Sequence, residues 1–92
     1  MKVIELDLTG CKYLFDIHER IRIAFNFPEW YGKNWDAFED LLWSDCDADK
    51  VIVKGTSTLP QEFGKHMDIL RKILEENKQH WANTDCPFEY EL

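Results

Sequence analysis

Ninety-two residues, 45% of them apolar and 14% aromatic, suffice for one domain with a modest core. A formal charge of −7 argues against binding nucleic acid or an anionic membrane surface, and for a basic protein as partner. No apolar run approaches the roughly 18 residues of a membrane span, and the charged start Met1-Lys2-Val3-Ile4-Glu5-Leu6-Asp7 lacks the apolar centre of a signal peptide, so a cytoplasmic protein is expected. Cys11, Cys46 and Cys86 are odd in number, widely spaced and without a Cys-x-x-Cys pair, and read as free thiols.

In chain order, Ile4, Leu6 and Leu8 alternate with Glu5 and Asp7, which predicts a strand over Val3–Leu8 ended by Thr9-Gly10. Leu14, Ile17, Ile21 and Phe25, with Ala24, recur at helical steps and predict a helix over Tyr13–Asn26, with Glu19, Arg20 and Arg22 facing water. Pro28 prevents that helix from running on. A loop over Phe27–Lys33 precedes a second helix, Asn34–Trp43, with Asn34 as its N-cap and Gly32 supplying a flexible turn before it. Ser44–Asp49 reads as a polar loop, and Val51-Ile52-Val53 as a buried strand. Gly55–Thr58 is a turn, and Leu59–Gly64 suits a short helix with Pro60 in its first turn. Lys65–His80 is a longer helix with Met67, Leu70, Ile73, Leu74 and then Trp81 on its buried side. Asn83-Thr84-Asp85 turns the chain into a last strand of Phe88, Tyr90 and Leu92. Strands separated by helices predict an α/β fold: a small parallel sheet with right-handed crossovers.

The second helix divides into two faces. Counting about 100° per residue from Asn34, the residues Ala37, Phe38, Leu41 and Leu42 gather on one side with it, while Asp36, Glu39, Asp40 and Trp43 gather on the other. Asp36 and Asp40 stand one turn apart, a like-charge pair that costs a helix a few tenths of a kcal/mol. An acid in the first turn is favoured by the helix dipole, which explains Asp36 but not Asp40. From Glu29 to Asp49 there are seven acids (Glu29, Asp36, Glu39, Asp40, Asp45, Asp47, Asp49) against one base, Lys33, a net −6 in 21 residues. Three of the four tryptophans, Trp30, Trp35 and Trp43, fall in the same stretch. A coherent negative patch steers a cationic partner, and tryptophan is a favoured interface anchor.

The run Phe27-Pro28-Glu29-Trp30-Tyr31-Gly32-Lys33-Asn34-Trp35-Asp36-Ala37-Phe38-Glu39-Asp40-Leu41-Leu42 resembles the signature of the barstar family, protein inhibitors of barnase-type bacterial ribonucleases. The similarity runs without gaps from about Leu14 to Leu42 and includes Asp16 and His18. It implies a three-stranded parallel sheet with about four helices and a monomer when free. It also implies a partner-binding surface that occupies the phosphate subsites of a basic ribonuclease. By resemblance Asp40 is the central aspartate of that surface and Asp36 a second contact. Trp30 stands where the family has a tyrosine, Gly32 and Asn34 lie at the start of the helix, and Glu75 or Glu76 supplies a glutamate on the last helix. Two positions depart from the pattern: Glu39 replaces an aromatic, and Asp45 replaces a tryptophan, although Trp43 is close by. The departures make the surface more acidic and move an aromatic anchor, which suits a relative of barnase. The alternative is a barstar fold that serves as an immunity protein for a different basic toxin.

Other chemistry fits poorly. Asp45-Cys46-Asp47-Ala48-Asp49 begins like a calcium loop, but Lys50 and Thr56 stand where the required glycine and glutamate would be. His18, His66 and His80 are scattered, and His18 reads as a packed side chain. No phosphate-binding glycine loop occurs. Neither enzyme activity, a metal nor a cofactor is expected.

Overall fold

A computed structural model describes residues 2–44, 49–82 and 87–92. The polar loop expected over Ser44–Asp49 and the turn at Asn83-Thr84-Asp85 therefore lie largely or wholly outside the described residues, as do Cys46 and Cys86. The order of elements is β1 (Val3–Asp7), α1 (Leu14–Phe25), α2 (Trp35–Ser44), β2 (Lys50–Lys54), α3 (Gly64–Trp81) and β3 (Glu89–Glu91). The three strands form one parallel sheet in the order β1-β2-β3. Ile4 pairs with Val51, Leu6 with Val53, and Val51 with Tyr90.

The two-residue alternation of β1 decides which face of the sheet enters the core. Ile4, Leu6 and then Leu8 are buried, whereas Val3, Glu5 and Asp7 are exposed. In β2, Val51 and Val53 join them, and the core continues into Ile17 and Ile21 of α1, Phe38 and Leu42 of α2, and Leu70 and Leu74 of α3. Val51-Ile52-Val53 is therefore buried on one side only: Ile52 is half-buried. Parallel sheets usually have both faces covered. Here the second face carries ion pairs instead, Lys54 to Glu5 at 3.4 Å and Lys50 to Glu91 at 3.2 Å.

Both ends of α1 have local causes. The Asp16 carboxylate accepts the backbone N–H groups of Lys12 and Tyr13, both at 3.2 Å, and so holds the start of α1. Asn26 ends it in the left-handed conformation at φ 56°, and the Phe27 N–H donates back to the Arg22 carbonyl at 2.9 Å. Gly55, after β2, is needed for space as well as for its φ of 79°: a Cβ there would come within 2.5 Å of the Thr9 backbone nitrogen.

The expected fourth helix is absent. There are three α-helices among the described residues, and the Leu59–Gly64 segment forms only a 3₁₀ turn, Gln61–Phe63, that runs directly into α3. Pro60 has an extended ψ of 146° and the turn closes with the Phe63 N–H on the Pro60 carbonyl. Phe63 is the one residue of that turn anchored in the core, too few to stabilise a separate helix.

Candidate functional site

The apolar stripe of α2 fixes which way its carboxylates face. Phe38, Leu41 and Leu42 are buried, Ala37 and Trp35 partly so, and Asp36 and Asp40 are exposed on the far side. Asp36, Glu39, Asp40 and Trp43 together line a hollow of about 280 Å³. The helix starts on Asn34, whose Oδ1 accepts the Ala37 N–H at 2.7 Å and whose Nδ2 donates to the Gly32 carbonyl at 3.2 Å.

Gly32 precedes α2 as expected, but its own backbone is not left-handed. The left-handed residue is Lys33, at φ 51°. Gly32 is instead a position of restricted space, where a Cβ would meet Ala37 Cβ and Asn34 Nδ2 at 3.3 Å each. The unusual backbone at Lys33 accompanies a side chain drawn back to α1. Its Nζ lies 4.6 Å from the centre of the Phe15 ring and 3.5 Å from Glu19 Oε2. The one base of the acidic stretch is thus tied to α1 rather than lining the hollow.

A second groove, about 190 Å³, runs between α2 and α3. Trp35, Asp36 and Glu39 line one wall, and Ile69, Lys72, Ile73 and Glu76 the other. Asp36 and Glu39 belong to both hollows, so carboxylates run from Asp40 across α2 to Glu76, with Lys72 beside Glu76 on the α3 wall. Glu75 points elsewhere. It lies against Tyr90, whose hydroxyl pKa is raised by burial and by that carboxylate. Glu75 and Glu76 both line a third hollow, about 630 Å³, together with Asp68, Arg71, Lys72, Gln79 and Tyr90. That hollow is larger than the one on α2 but mixes both signs of charge, whereas the α2 hollow is lined by carboxylates and one indole.

Trp30 precedes α2 in the chain, and Trp43 lies in its last turn. Trp30 is 74% exposed, at the tip of the loop. Trp43 packs at a tilt on His80 of α3 with ring centres 4.3 Å apart, and His80 in turn meets Trp81 edge-on at 5.0 Å. Behind the loop, Tyr31 is buried and its hydroxyl lies 2.8 Å from Nδ1 of the fully buried His18. The His18 ring packs 4.5 Å from that of Trp35, whose indole N–H donates to His66 Nδ1 at 3.2 Å. Burial pushes the His18 pKa down to about 4, helped by the neighbouring His66, and burial pushes the Tyr31 hydroxyl up.

Several of these partners were illegible in the sequence. His18 and Tyr31 are 13 residues apart with a helix end and a proline between them. Trp43 meets His80 only because α2 packs on α3. Lys33 had one hint, its isolation among acids. Asp45 lies outside the described residues, and so does most of the calcium-like segment. Among the described residues no helix is long and apolar enough to cross a membrane. The family model described as Barstar (barnase inhibitor) matches residues 1–92, the whole chain. No curated protein matches it closely enough to add an individual relative.

Proposed function

Since the chain belongs to the barstar family, we propose that it inhibits a barnase-type ribonuclease by placing the outer face of α2 in the enzyme's active site. The observation that carries this reading is the hollow of Asp36, Glu39, Asp40 and Trp43, three carboxylates and one indole held outward by a buried opposite face. A ribonuclease groove presents Arg, Lys and His to RNA phosphates. Carboxylates at one-turn spacing on a rigid helix occupy those subsites without being cleaved. Their geometry is set before binding, so little ordering is lost on association.

The roles divide by position. Asp40 is the central contact, desolvated among the enzyme's cations, and Asp36 is the second. Glu39 extends the charge toward the α2–α3 groove, and Glu76 completes it; of the two candidate glutamates, the placement of Glu76 on that groove favours it over Glu75. Trp30, before α2, and Trp43, in its last turn, pack on the nuclease, with Gly32 and Asn34 allowing close backbone approach between them.

The test is an inhibition titration against barnase and related ribonucleases at low and high salt. Stoichiometric inhibition, with association slowing as salt screens the field, is expected. No inhibition across a ribonuclease panel, with a different basic toxin neutralised, would replace this reading with the immunity-protein one.

A further inference from the structure

His18 is a buried titratable group with no part in the contact surface. It is 0% exposed, and its Nε2 has no hydrogen-bond partner among the described residues while its Nδ1 lies 2.8 Å from Tyr31 Oη. The Tyr31 hydroxyl has a second neighbour, the Asn34 carbonyl at 3.4 Å, a long and weak bond. That same carbonyl accepts the Phe38 N–H at 3.0 Å, the first backbone bond of α2.

A neutral imidazole carries one N–H, on either nitrogen. If the proton were on Nε2, a buried N–H would have no acceptor, and Tyr31 would spend its hydrogen on Nδ1 and give none to Asn34. With the proton on Nδ1, His18 donates to Tyr31, Tyr31 donates to Asn34, and only a lone pair is left without a partner. Orphaned buried N–H groups are the rarer and costlier case. We infer that His18, held as the Nδ1–H tautomer, is the positioning residue for the loop that presents Trp30, Gly32 and Asn34.

The rest of α1 acts on the same loop from outside. Phe15 and Glu19 hold Lys33, as described above, while His18 holds Tyr31 from within. Trp30 and Gly32 flank Tyr31 directly. The loop is therefore fixed to α1 at two residues that follow its exposed tip, Tyr31 and Lys33, and α2 starts from a residue that the same chain of hydrogen bonds reaches.

The tautomer can be read from long-range proton–nitrogen correlation spectra of the ¹⁵N-labelled free protein. Protonated Nδ1 and bare Nε2 are expected at His18; the reverse overturns the inference. Tyr31→Phe, which keeps the ring, tests the positioning. Amide hydrogen exchange at Tyr31 and Ala37 should accelerate by about fivefold more than at Val51 and Val53 of the core strand, the size of one lost hydrogen bond. Equal acceleration everywhere would mean a purely global role and would also overturn it. If the variant fails to fold, the tautomer of the unaltered chain still decides. The consequence for the partner rests on the inhibitor reading. With barnase as probe, Tyr31→Phe should speed dissociation and leave the salt-dependent association rate alone, and an unchanged dissociation rate counts against positioning. If barnase does not bind the unaltered chain, the inhibitor reading falls, while the exchange and tautomer results stand on their own.

Discussion

The outer face of α2 and the open face of the sheet are both solvent-exposed and both rich in charge, yet they are built to different ends. On the sheet, Glu5 faces Lys54 and Lys50 faces Glu91, so each charge is offset by a neighbour on the adjoining strand. On α2 the hollow is lined by Asp36, Glu39 and Asp40, while Lys33 is held away on Phe15 and Glu19. Paired surface charges cancel at a distance and contribute little to stability. Charges of one sign cost the helix only tenths of a kcal/mol locally, and their fields add at a distance.

The contrast can be broken most sharply at Asp40. Asp40→Ala should cost several kcal/mol of affinity for a cognate ribonuclease, as at close charge pairs of the barnase–barstar complex, because it leaves the enzyme's cations buried without a counterpart. A change in Kd smaller than about tenfold (~1.4 kcal/mol) would sink the assignment.

Next in size is a pH effect on folding that involves neither charged face. His18 titrates near 6.5 when unfolded and near 4 when folded. The unfolded chain therefore binds more protons between those values, and stability is lost as pH falls through that window. The limit is about 3 kcal/mol, measurable as urea midpoints from pH 7 to 4. His18→Gln should lower stability at pH 7 but flatten its dependence below 6.5; an unaltered slope would show that another group is responsible.

Trp43→Ala should weaken the complex by about 2 kcal/mol, the threshold of an interface hot spot, read by calorimetry. It should leave the salt dependence of association unchanged, since no charge is lost. Smallest is the sheet face. Lys54→Met should alter folding stability by less than about 0.5 kcal/mol and ribonuclease association hardly at all. A large effect on either would erase the distinction between the two faces.

Much of this arrangement could be read from residue order. The period-two run Ile4-Leu6-Leu8 and the helical spacing of Phe38, Leu41 and Leu42 are local signals, and they set which side chains turn inward. Asn34 as N-cap and Pro28 as a stop are equally local, and α1 and α2 begin and end within about one residue of expectation. The miss at Leu59–Gly64 arose because Pro60 is compatible with either a helix start or a tight turn. Sequence alone does not say how many of the following residues reach the core.

Sequence by itself determined the acidic face, because a helix converts linear spacing into one side of a cylinder whatever surrounds it. Tertiary structure alone decided what holds that face: His18 beneath Tyr31, Lys33 on Phe15, Trp43 on His80, and Glu76 rather than Glu75 beside Asp36 and Glu39. Each joins residues on different elements, and such meetings depend on how helices pack across the core.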